Sequence, residues 1–396
     1  MRCRTSDQVL EQLADCVSIA SPTPSGDARD VAVWVEQWAD DMGARVVREP
    51  VWDGADNVLA TLSFGPGPRL VLNTHMDVVD PNGQQWLHPP YEPHIEATRM
   101  YGRGTCDAKG SLVAMLAAME RLAGESRGLR GEIVLTAVVA EEAGGLGSLS
   151  LVAGGFDADA AVVGEPTRLE IATAHKGTYM HEVRIVGRAA HSASPWLGRN
   201  AAADGAAFVL ACEDESARLG QTPHPLLGPA TLTATMFSAG TFQNTVPAQA
   251  TITVDRRLVP GETHAECDAQ LADVIAQVAR RRTGLDVAPP RELVATVPSE
   301  TRADERIVAA GLAALAAVSR PSSAPVGFNA GCDMSKLVGA GIPTIICGPG
   351  SLAQAHSPDE FVPLKEVVDA VAVYEHIART MLSMRQQESG GDGERP

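Results

Sequence analysis

Residues 69–80 read RLVLNTHMDVVD, and this stretch carries the fold prediction. Positions 70–72 form an apolar run that is typical of a strand buried in a parallel sheet. The stretch ends in His75 and Asp77, whose side chains point to the same face of an extended chain because they are two positions apart. A histidine that binds a metal needs its second ring nitrogen held by a carboxylate or a carbonyl, and Asp77 suits that role. The alternative is a capping aspartate beside a surface histidine. The choice between this alternative and a metal site depends on whether other carboxylates are predicted nearby.

The regions around this strand predict an α/β domain with a mostly parallel sheet. Helical spacing covers 6–18 and 27–42, and short apolar strands are predicted near 44–51 and 57–62. Two further apolar runs end in acids: GEIVLTAVVAEEAGG (131–145) and ADAAVVGEPT (158–167). A third apolar run, IPTIICG (342–348), is predicted to be another strand of the same sheet. Polar residues that follow parallel strands meet at one edge of the sheet, so the site is expected there.

The hydrophobic period changes near Gly177, which predicts an inserted second domain. A strand, a helix, two strands and a helix follow in turn, which is the start of a ferredoxin-like α+β unit. The predicted organisation is a catalytic domain in two parts, 1–177 and 290–385, an inserted domain, 178–289, and a mobile tail, 386–396. The tail QQESGGDGERP has no apolar residue to anchor it.

Composition excludes several classes of function. The chain has 396 residues and a formal net charge of −17, so a nucleic acid backbone would be repelled. The N-terminus lacks the apolar segment of a signal peptide, and no stretch of about 18 apolar residues occurs, so we expect a cytoplasmic protein without a membrane partner. The seven cysteines are scattered and include no CxxC pair, which predicts reduced thiols and no structural zinc knuckle.

Polar residues at the predicted strand ends form the ligand set of a binuclear metal site. The set comprises two histidines, three carboxylates and two further acids: His75, His356, Asp107, Glu142, Glu165, Asp77 and Glu141. If Asp107 bridges two divalent ions, with His75 and Glu165 on one and Glu142 and His356 on the other, the three carboxylates leave the pair of ions at a charge of +1. A bridging hydroxide then brings the site to neutrality. Such a pair lowers the pKa of its shared water from 15.7 towards about 7. Because the set contains no thiolate, zinc is expected, with cobalt or manganese admissible.

Two local motifs have competing interpretations. GRGTCDAKG (102–110) begins like a nucleotide-binding loop, but Asp107 occupies the place of the third glycine, and its charge would repel a pyrophosphate. Asp107 could also cap the following helix, which is compatible with metal binding. Glu141 and Glu142 could form a solvated turn. Their position after a buried strand favours metal binding by Glu142 and general acid/base work by Glu141.

The chain resembles the dinuclear zinc aminoacylases and carboxypeptidases, the M20-type metallopeptidase family that includes acetylornithine deacetylase and succinyl-diaminopimelate desuccinylase. The resemblance covers nearly the whole chain. It rests on eight motifs in the family's order: THMDVV (74–79), GRGTCDAKG (102–110), AEEAGG (140–145), GEPT (164–167), GRAAHSASPWLGRNA (187–201), TFQNTVPA (241–248), DRRLVPGE (255–262) and GPGSLAQAHSPDEF (348–361).

The resemblance implies a role for each candidate residue. The implied metal ligands are His75, Asp107, Glu142, Glu165 and His356. Asp77 would orient His75, and Glu141 would be the general base. In the inserted domain, which would form a lid and a homodimer interface, the resemblance implies that His191 donates a hydrogen bond to the oxyanion. Arg257 would bind the substrate carboxylate and Asn244 the amide region.

Several interpretations remain beside these roles. His191 could be a surface histidine, and Arg257 could be a solvated strand residue beside Arg256. The remaining histidines are expected to be structural: His88, His94, His175, His181, His224, His264 and His376.

The predicted reaction is hydrolysis of an N-acyl group, acetyl, from an L-amino acid, by metal-hydroxide attack on the amide carbonyl. GPGSLAQAHSPDEF, with GEPT and AHKG (174–177), points to the acetylornithine deacetylase branch. A succinyl-diaminopimelate desuccinylase-like activity and a metallo-carboxypeptidase or dipeptidase activity are the alternatives. A non-catalytic metal-binding homologue would have lost Glu141 or a ligand, and all are present.

Overall fold

The computed structural model describes residues 3–23, 27–52, 54–124 and 127–383. The predicted mobile tail, 386–396, lies outside them. The chain divides into two compact units. The first takes the described parts of Met1–Ile171, Ala303–Pro325 and Ala340–Pro396, and the second takes Ala172–Arg302 and Val326–Gly339. The predicted boundaries of the inserted domain, 178–289, remain a prediction.

The first unit contains both helices and strands. Its helices are Ser6–Ser18, Arg29–Asp41, Lys109–Gly124, Leu146–Ala153, Arg306–Ala317 and Leu364–Leu382. Its strands are Pro22–Thr23, Arg45–Trp52, Ala55–Ser63, Arg69–His75, Val78–Val79, His94–Glu96, Arg99–Tyr101, Glu132–Val138, Ala160–Val163, Thr344–Ile346 and Phe361–Pro363. The prediction of an α/β fold is confirmed.

The main sheet of the first unit has a parallel centre and an antiparallel flank. From one side to the other its strands are Thr344–Ile346, Ala160–Val163, Arg69–His75, Glu132–Val138, Ala55–Ser63 and Arg45–Trp52. The first four run parallel to one another, whereas the last two form an antiparallel hairpin that pairs antiparallel with Glu132–Val138. The alternating burial of Arg45–Trp52 agrees with its place at the flank, where one face meets water.

The core of the first unit is built around the helix Lys109–Gly124, nearly every residue of which is buried. A helix that is apolar all round is stable only when it is surrounded by protein. It packs against Ser6–Ser18, Leu364–Leu382 and the central strand Arg69–His75. That strand is likewise buried on both faces, and its one interior amide, Asn73, donates hydrogen bonds to Thr136 Oγ1 at 3.0 Å and Ser148 Oγ at 3.1 Å. The buried amide nitrogen thereby has both of its donors paired, whereas Oδ1 of Asn73 is buried without a partner.

The second unit contains an antiparallel sheet with its own apolar core. Its helices are Pro195–Leu197 (a 3₁₀ turn), Ala201–Leu219, His264–Arg281 and Met334–Gly339. Its strands are Ala172–His175, Gly177–Val186, Thr231–Ala239, Gln249–Leu258, Asp286–Val287, Arg291–Thr296, Ser299–Glu300 and Val326–Phe328. The order across the antiparallel sheet is Thr231–Ala239, Gln249–Leu258, Gly177–Val186 and Asp286–Val287, which leaves Thr231–Ala239 at an edge.

No helix in the described ranges combines the length and the apolar character needed to cross a bilayer.

Candidate metal centre

The candidate site lies where the parallel strands of the first unit end. His75 is the last residue of Arg69–His75, and Glu165 follows the neighbouring strand Ala160–Val163. Glu141 and Glu142 follow Glu132–Val138 on the other side. The chain goes from the central strand to one neighbour and then crosses to the other, which makes a topological switch point. Side chains from both directions meet in a crevice at such a point.

The first of two donor groups consists of His75, Asp107 and Glu165. His75 Nε2 lies 3.2 Å from Asp107 Oδ1 and 3.8 Å from Glu165 Oε1. His75 Nδ1 lies 2.8 Å from the backbone oxygen of Asp77, so Nδ1 donates and Nε2 faces the carboxylates. All three side chains are buried. The hydrogen bond at Nδ1 sets the ring orientation that a metal ligand needs.

The second donor group consists of Asp107, Glu142 and His356. His356 Nε2 lies 3.0 Å from Glu142 Oε2 and 3.4 Å from Asp107 Oδ2. The two carboxylate oxygens of Asp107 therefore face different histidines, one in each group. Within each group the donor atoms lie within 4.8 Å of one another. This is the arrangement in which one carboxylate bridges two ions.

The donor set fits a pair of divalent ions. It offers imidazole nitrogens and carboxylate oxygens, which suit zinc, cobalt and manganese. Cys106 precedes Asp107, but its Sγ donates a hydrogen bond to the Ser351 carbonyl at 3.3 Å. Burial and the charges of Glu360 and Asp107 raise the pKa of this thiol well above its usual value. Its thiol is thus turned to that carbonyl, and Cys106 belongs to neither donor group.

In the chain without metal, the pKa values of the two histidines and of Glu165 are raised. Hydrogen bonds to Asp107 and Glu142 raise the pKa of His356 to about 10. Burial alone would lower the pKa of His75, but its hydrogen bond to Asp107 and the charge of Glu165 raise it well above its usual value. Burial and the charge of Asp107 raise the pKa of Glu165. Metal binding must therefore displace protons, so the affinity for metal increases with pH.

We expect the free energy of unfolding of the chelator-treated protein to fall as pH rises from about 6.5 to about 10. The pKa of His356 is about 10 in the folded chain and 6.5 in its ordinary state. The folded state therefore holds the proton more tightly, and this contribution is complete below pH 6.5 and lost through pH 10. Urea unfolding at several pH values measures it.

The substitution His356→Gln should flatten this dependence, and loading wild-type protein with metal should do the same because the ligating imidazoles then carry no ionisable proton on the metal side. An unchanged slope in His356→Gln would contradict the assignment.

Asp77 anchors the turn that carries the two glutamates. Its Oδ1 accepts the backbone N–H of Glu141 and its Oδ2 that of Glu142, both at 3.2 Å, and Thr23 Oγ1 donates to Oδ2 at 2.8 Å. The carboxylate is 3.7 Å from His75 Nδ1, whereas the backbone oxygen of Asp77 is at 2.8 Å. The predicted orientation of His75 by residue 77 thus runs through its main chain, while the side chain holds the 141–142 turn. Ala140 enters that turn with φ +55, a left-handed conformation rare outside glycine.

An ion pair that sequence reasoning missed holds the loop of Asp107. The guanidinium of Arg103 donates to Glu360 at 2.7 Å, and both side chains are almost inaccessible to solvent. Glu360 also accepts backbone N–H groups from Gly104 at 3.1 Å, Cys106 at 2.8 Å and Asp107 at 3.0 Å. Arg103 lies in the motif GRGTCDAKG and Glu360 in GPGSLAQAHSPDEF, both quoted above. The sequence signal for this ion pair was that each motif contains a charged residue to which no partner was assigned.

Gln84 extends this support to the second histidine. Arg103 donates to Gln84 Oε1 at 2.8 Å, and Gln84 Nε2 donates to the backbone oxygen of His356 at 2.9 Å. His356 has φ +61, so its backbone also needs such support. One buried cation therefore connects the loops that carry Asp107 and His356.

We expect Arg103→Met to destabilise the fold by about 3–5 kcal/mol, because it leaves the buried Glu360 carboxylate without its cation. The affinity for metal should fall by about 10–100-fold, since this pair positions two ligand loops. Denaturant unfolding and metal titration measure the two effects.

Arg218→Met is the matched control, because Arg218 pairs with Glu215 at the surface with 58% of its side chain exposed. Its cost should be about 1 kcal/mol or less. Equal losses in both variants would remove the special role given to Arg103.

The second unit carries His191, Asn244 and Arg257. His191 and Asn244 are exposed and lie on adjacent loop segments, since the Ser192 N–H donates to the Asn244 backbone oxygen at 2.9 Å. The Ala193 N–H donates to His191 Nδ1 at 3.1 Å. Nδ1 therefore acts as an acceptor, which leaves Nε2 as the ring nitrogen that can donate.

Arg257 lies on the strand Gln249–Leu258 and is already paired. Its Nη2 and Nε donate to Asp255 Oδ2 at 3.0 and 3.1 Å, and its Nη1 donates to Thr178 Oγ1 at 2.8 Å. These contacts hold the guanidinium rigidly. They also occupy part of the fork that a substrate carboxylate would use.

Comparison with known proteins places the chain in a family. Residues 71–380 match Peptidase family M20/M25/M40. The acetylornithine deacetylase of Proteus mirabilis is 27% identical over 366 residues, which cover 90% of this chain and 92% of the relative. A probable succinyl-diaminopimelate desuccinylase of Staphylococcus aureus is 27% identical over 382 residues, covering 89% and 92%. Among solved structures, a tripeptidase from Staphylococcus aureus superposes with a TM-score of 0.81 at 21% identity and covers 96% of this chain and 100% of its own.

The family match includes His75 and His356, the histidines of the two donor groups, and the structural likeness extends over nearly all of the chain. The chain therefore belongs to peptidase family M20/M25/M40 and is a metal-dependent hydrolase of amide bonds.

Proposed function

We propose that the protein removes an N-acyl group, acetyl in the first instance, from an L-amino acid. The observation that carries the proposal is the pair of donor groups sharing Asp107, with the Glu141 turn anchored beside them on Asp77. Acetylornithine deacetylases from several bacteria match about nine-tenths of the chain, which supports the acyl-amino acid class. The proposed metal is zinc, with cobalt as a substitute.

Each residue of the first unit has a distinct task in this proposal. His75, Asp107, Glu142, Glu165 and His356 would hold two divalent ions. The ions, when bound, would acidify a water and polarise the scissile carbonyl. Glu141, which follows the left-handed turn at Ala140, would accept the proton of that water and pass it to the leaving amine. Asp77 holds the backbone of both glutamates, so their carboxylates are presented by a fixed turn.

The proposal gives the second unit the recognition of the substrate. His191 would donate from Nε2 to the oxyanion, a role that the hydrogen bond at its Nδ1 supports. Asn244 would bind the amide region. Arg257 would bind the carboxylate of the amino acid through the N–H groups that Asp255 and Thr178 leave available. The formal charge of −17 slightly favours a substrate with a cationic side chain, such as an N-acyl ornithine.

A second candidate function is removal of a succinyl group or of an amino acid from a short peptide. A probable desuccinylase matches the chain at the same identity as the deacetylases, and the family as a whole is described as a peptidase family. The reacting groups would be the same. The difference lies in what occupies the acyl side of the scissile bond.

Activity of the metal-reconstituted enzyme against matched substrates tests the proposal. We expect N-acetyl-L-amino acids to be hydrolysed faster than their N-succinyl and N-formyl counterparts and faster than dipeptides with the same C-terminal residue. The D-enantiomers and the C-terminal amides are the controls for recognition of the α-carbon and the carboxylate. Preference for N-succinyl substrates or for dipeptides would replace the deacetylase proposal by the corresponding alternative.

A further inference from the structure

A third group of metal-binding side chains lies outside the site described above, in the first unit. It consists of His88, His94 and Glu96, whose donor atoms lie within 4.8 Å of one another. We call this group the hairpin cluster, because two of its members belong to the hairpin formed by His94–Glu96 and Arg99–Tyr101. None of its members belongs to either donor group around Asp107.

The hairpin sets the direction of two of these side chains. His94 and Glu96 are two positions apart in one strand, so both side chains project from the same face. His94 is paired with Tyr101 and Glu96 with Arg99 in the antiparallel register. The guanidinium of Arg99 lies over the Phe361 ring, 4.3 Å from its centroid, so this cation is directed at the aromatic ring.

His88 is brought to the hairpin by contacts of its own. Its ring stacks on His94, with the ring centroids 4.3 Å apart and the planes 14° from parallel, and it packs on Tyr101 at 5.2 Å. Its backbone N–H donates to Asp359 Oδ1 at 3.2 Å, and so does that of Leu87 at 2.8 Å. The two imidazoles therefore lie side by side, on a surface where both are accessible to an ion.

We propose that the hairpin cluster is an auxiliary site for a divalent transition metal of the zinc, nickel or copper type. Two imidazoles and one carboxylate are the ligand types that these ions prefer, and three protein ligands leave room for water. In the stacked arrangement the lone pairs lie in nearly parallel planes. An ion bound to both rings must therefore turn them about χ2 so that their nitrogens converge, and half-exposed or exposed side chains are free to do so.

The site is coupled by contact to the loop of the principal centre. Asp359, which accepts the backbone of Leu87 and His88, lies between His356 and Glu360 in the chain. An ion that ties His88 to the hairpin would restrain the segment that this carboxylate holds. The inference concerns binding alone and does not depend on the proposed deacylase activity.

Zinc binding by untagged full-length protein tests the proposal. Wild-type protein and the variant His94→Asn are dialysed to equilibrium against the same range of free Zn²⁺ at neutral pH, and the metal content is measured. We expect His94→Asn to bind about one ion per chain fewer than wild type at saturation. The comparison is a difference, so it holds whatever number of ions the Asp107 centre takes.

Glu92→Gln is the matched control, because Glu92 is an exposed acid of the same segment that is not in the hairpin cluster. It should bind as many ions as wild type, and hydrolytic activity of His94→Asn at low zinc should equal that of wild type. Equal zinc content in wild type and His94→Asn would overturn the site. An equal loss in Glu92→Gln would also overturn it, since the effect would then be one of surface charge. Loss of activity without loss of an ion would be evidence against it as well.

Discussion

Replacing Glu141 with glutamine is expected to lower turnover by at least about 100-fold while the protein keeps its metal. The amide has the size of the carboxylate but cannot accept a proton, so general-base catalysis is lost. Glu141 belongs to neither donor group around Asp107, so its neutralisation leaves every proposed ligand in place. Steady-state kinetics and metal analysis of the same preparation measure both quantities, with about two ions per chain expected at the Asp107 centre in wild type and in the variant.

Glu142→Gln provides the contrast. Glu142 follows Glu141 in the sequence, but its carboxylate lies 3.0 Å from His356 in the second donor group. That variant should lose metal at one site as well as activity. Glu170→Gln, which neutralises an exposed carboxylate near Glu165 in the chain, should behave as wild type. If Glu141→Gln and Glu142→Gln both retained wild-type rates, the assignment of the AEEAGG motif would be wrong. Metal content of one ion or fewer per chain at full activity would remove the bridging role of Asp107.

His191→Ala is expected to abolish most activity, and co-expression with Glu141→Gln is expected to restore about a quarter of the wild-type value. The resemblance implies a homodimer formed by the inserted domain, and we propose that in this dimer His191 serves the site of the partner subunit. Exposed features of the second unit favour an interface: Thr231–Ala239 is an edge strand, and Met236 and Trp196 expose 69% and 73% of their surface. An exposed edge strand with apolar side chains offers unpaired N–H and C=O groups with which another chain can pair.

The arithmetic of mixed dimers makes this prediction sharp. Random association gives about half mixed dimers, and in each the two-fold symmetry assembles one site with both defects and one with none. If His191 acted within its own subunit, every site would carry one defect and no activity would return. Absence of recovery in isolated mixed dimers would therefore refute action in trans. A structural control is Asn200→Ala, which removes the N-cap of the helix Ala201–Leu219 and no proposed active-site group.

Local sequence was sufficient to predict the fold class and the place of the candidate site. Apolar runs reveal which strands are buried on both faces, and parallel strands deliver the residues that follow them to one edge. For this reason the strand Arg69–His75 and the residues Glu142 and Glu165 could be grouped before any coordinates were known. The candidates in the second unit, His191, Asn244 and Arg257, were chosen by motif resemblance, and their roles remain predictions.

The conformation of the chain beyond the end of a strand could not be predicted from the sequence. Glu132–Val138 stops before the acids that were expected to terminate it, and a left-handed Ala140 turns the chain so that Asp77 can accept both following N–H groups. Periodicity describes the strand but contains no information on the conformation of the turn. When a residue other than glycine adopts a positive φ, the contacts around it impose that backbone conformation.

The sequence by itself therefore determined which residue types could bind metal and at which end of the sheet they lie, because burial and strand direction are local properties. The grouping of His75 with Glu165 and of Glu142 with His356 was a hypothesis, and only the tertiary structure shows which side chains face one another. Glu142 meets His356 across 214 positions of sequence, and Arg103 meets Glu360 across 257. Such pairs depend on how loops from distant strands pack at one edge. A charged residue in a motif shows that a partner is needed when it is buried, but the identity of that partner is set by the packing of the whole unit.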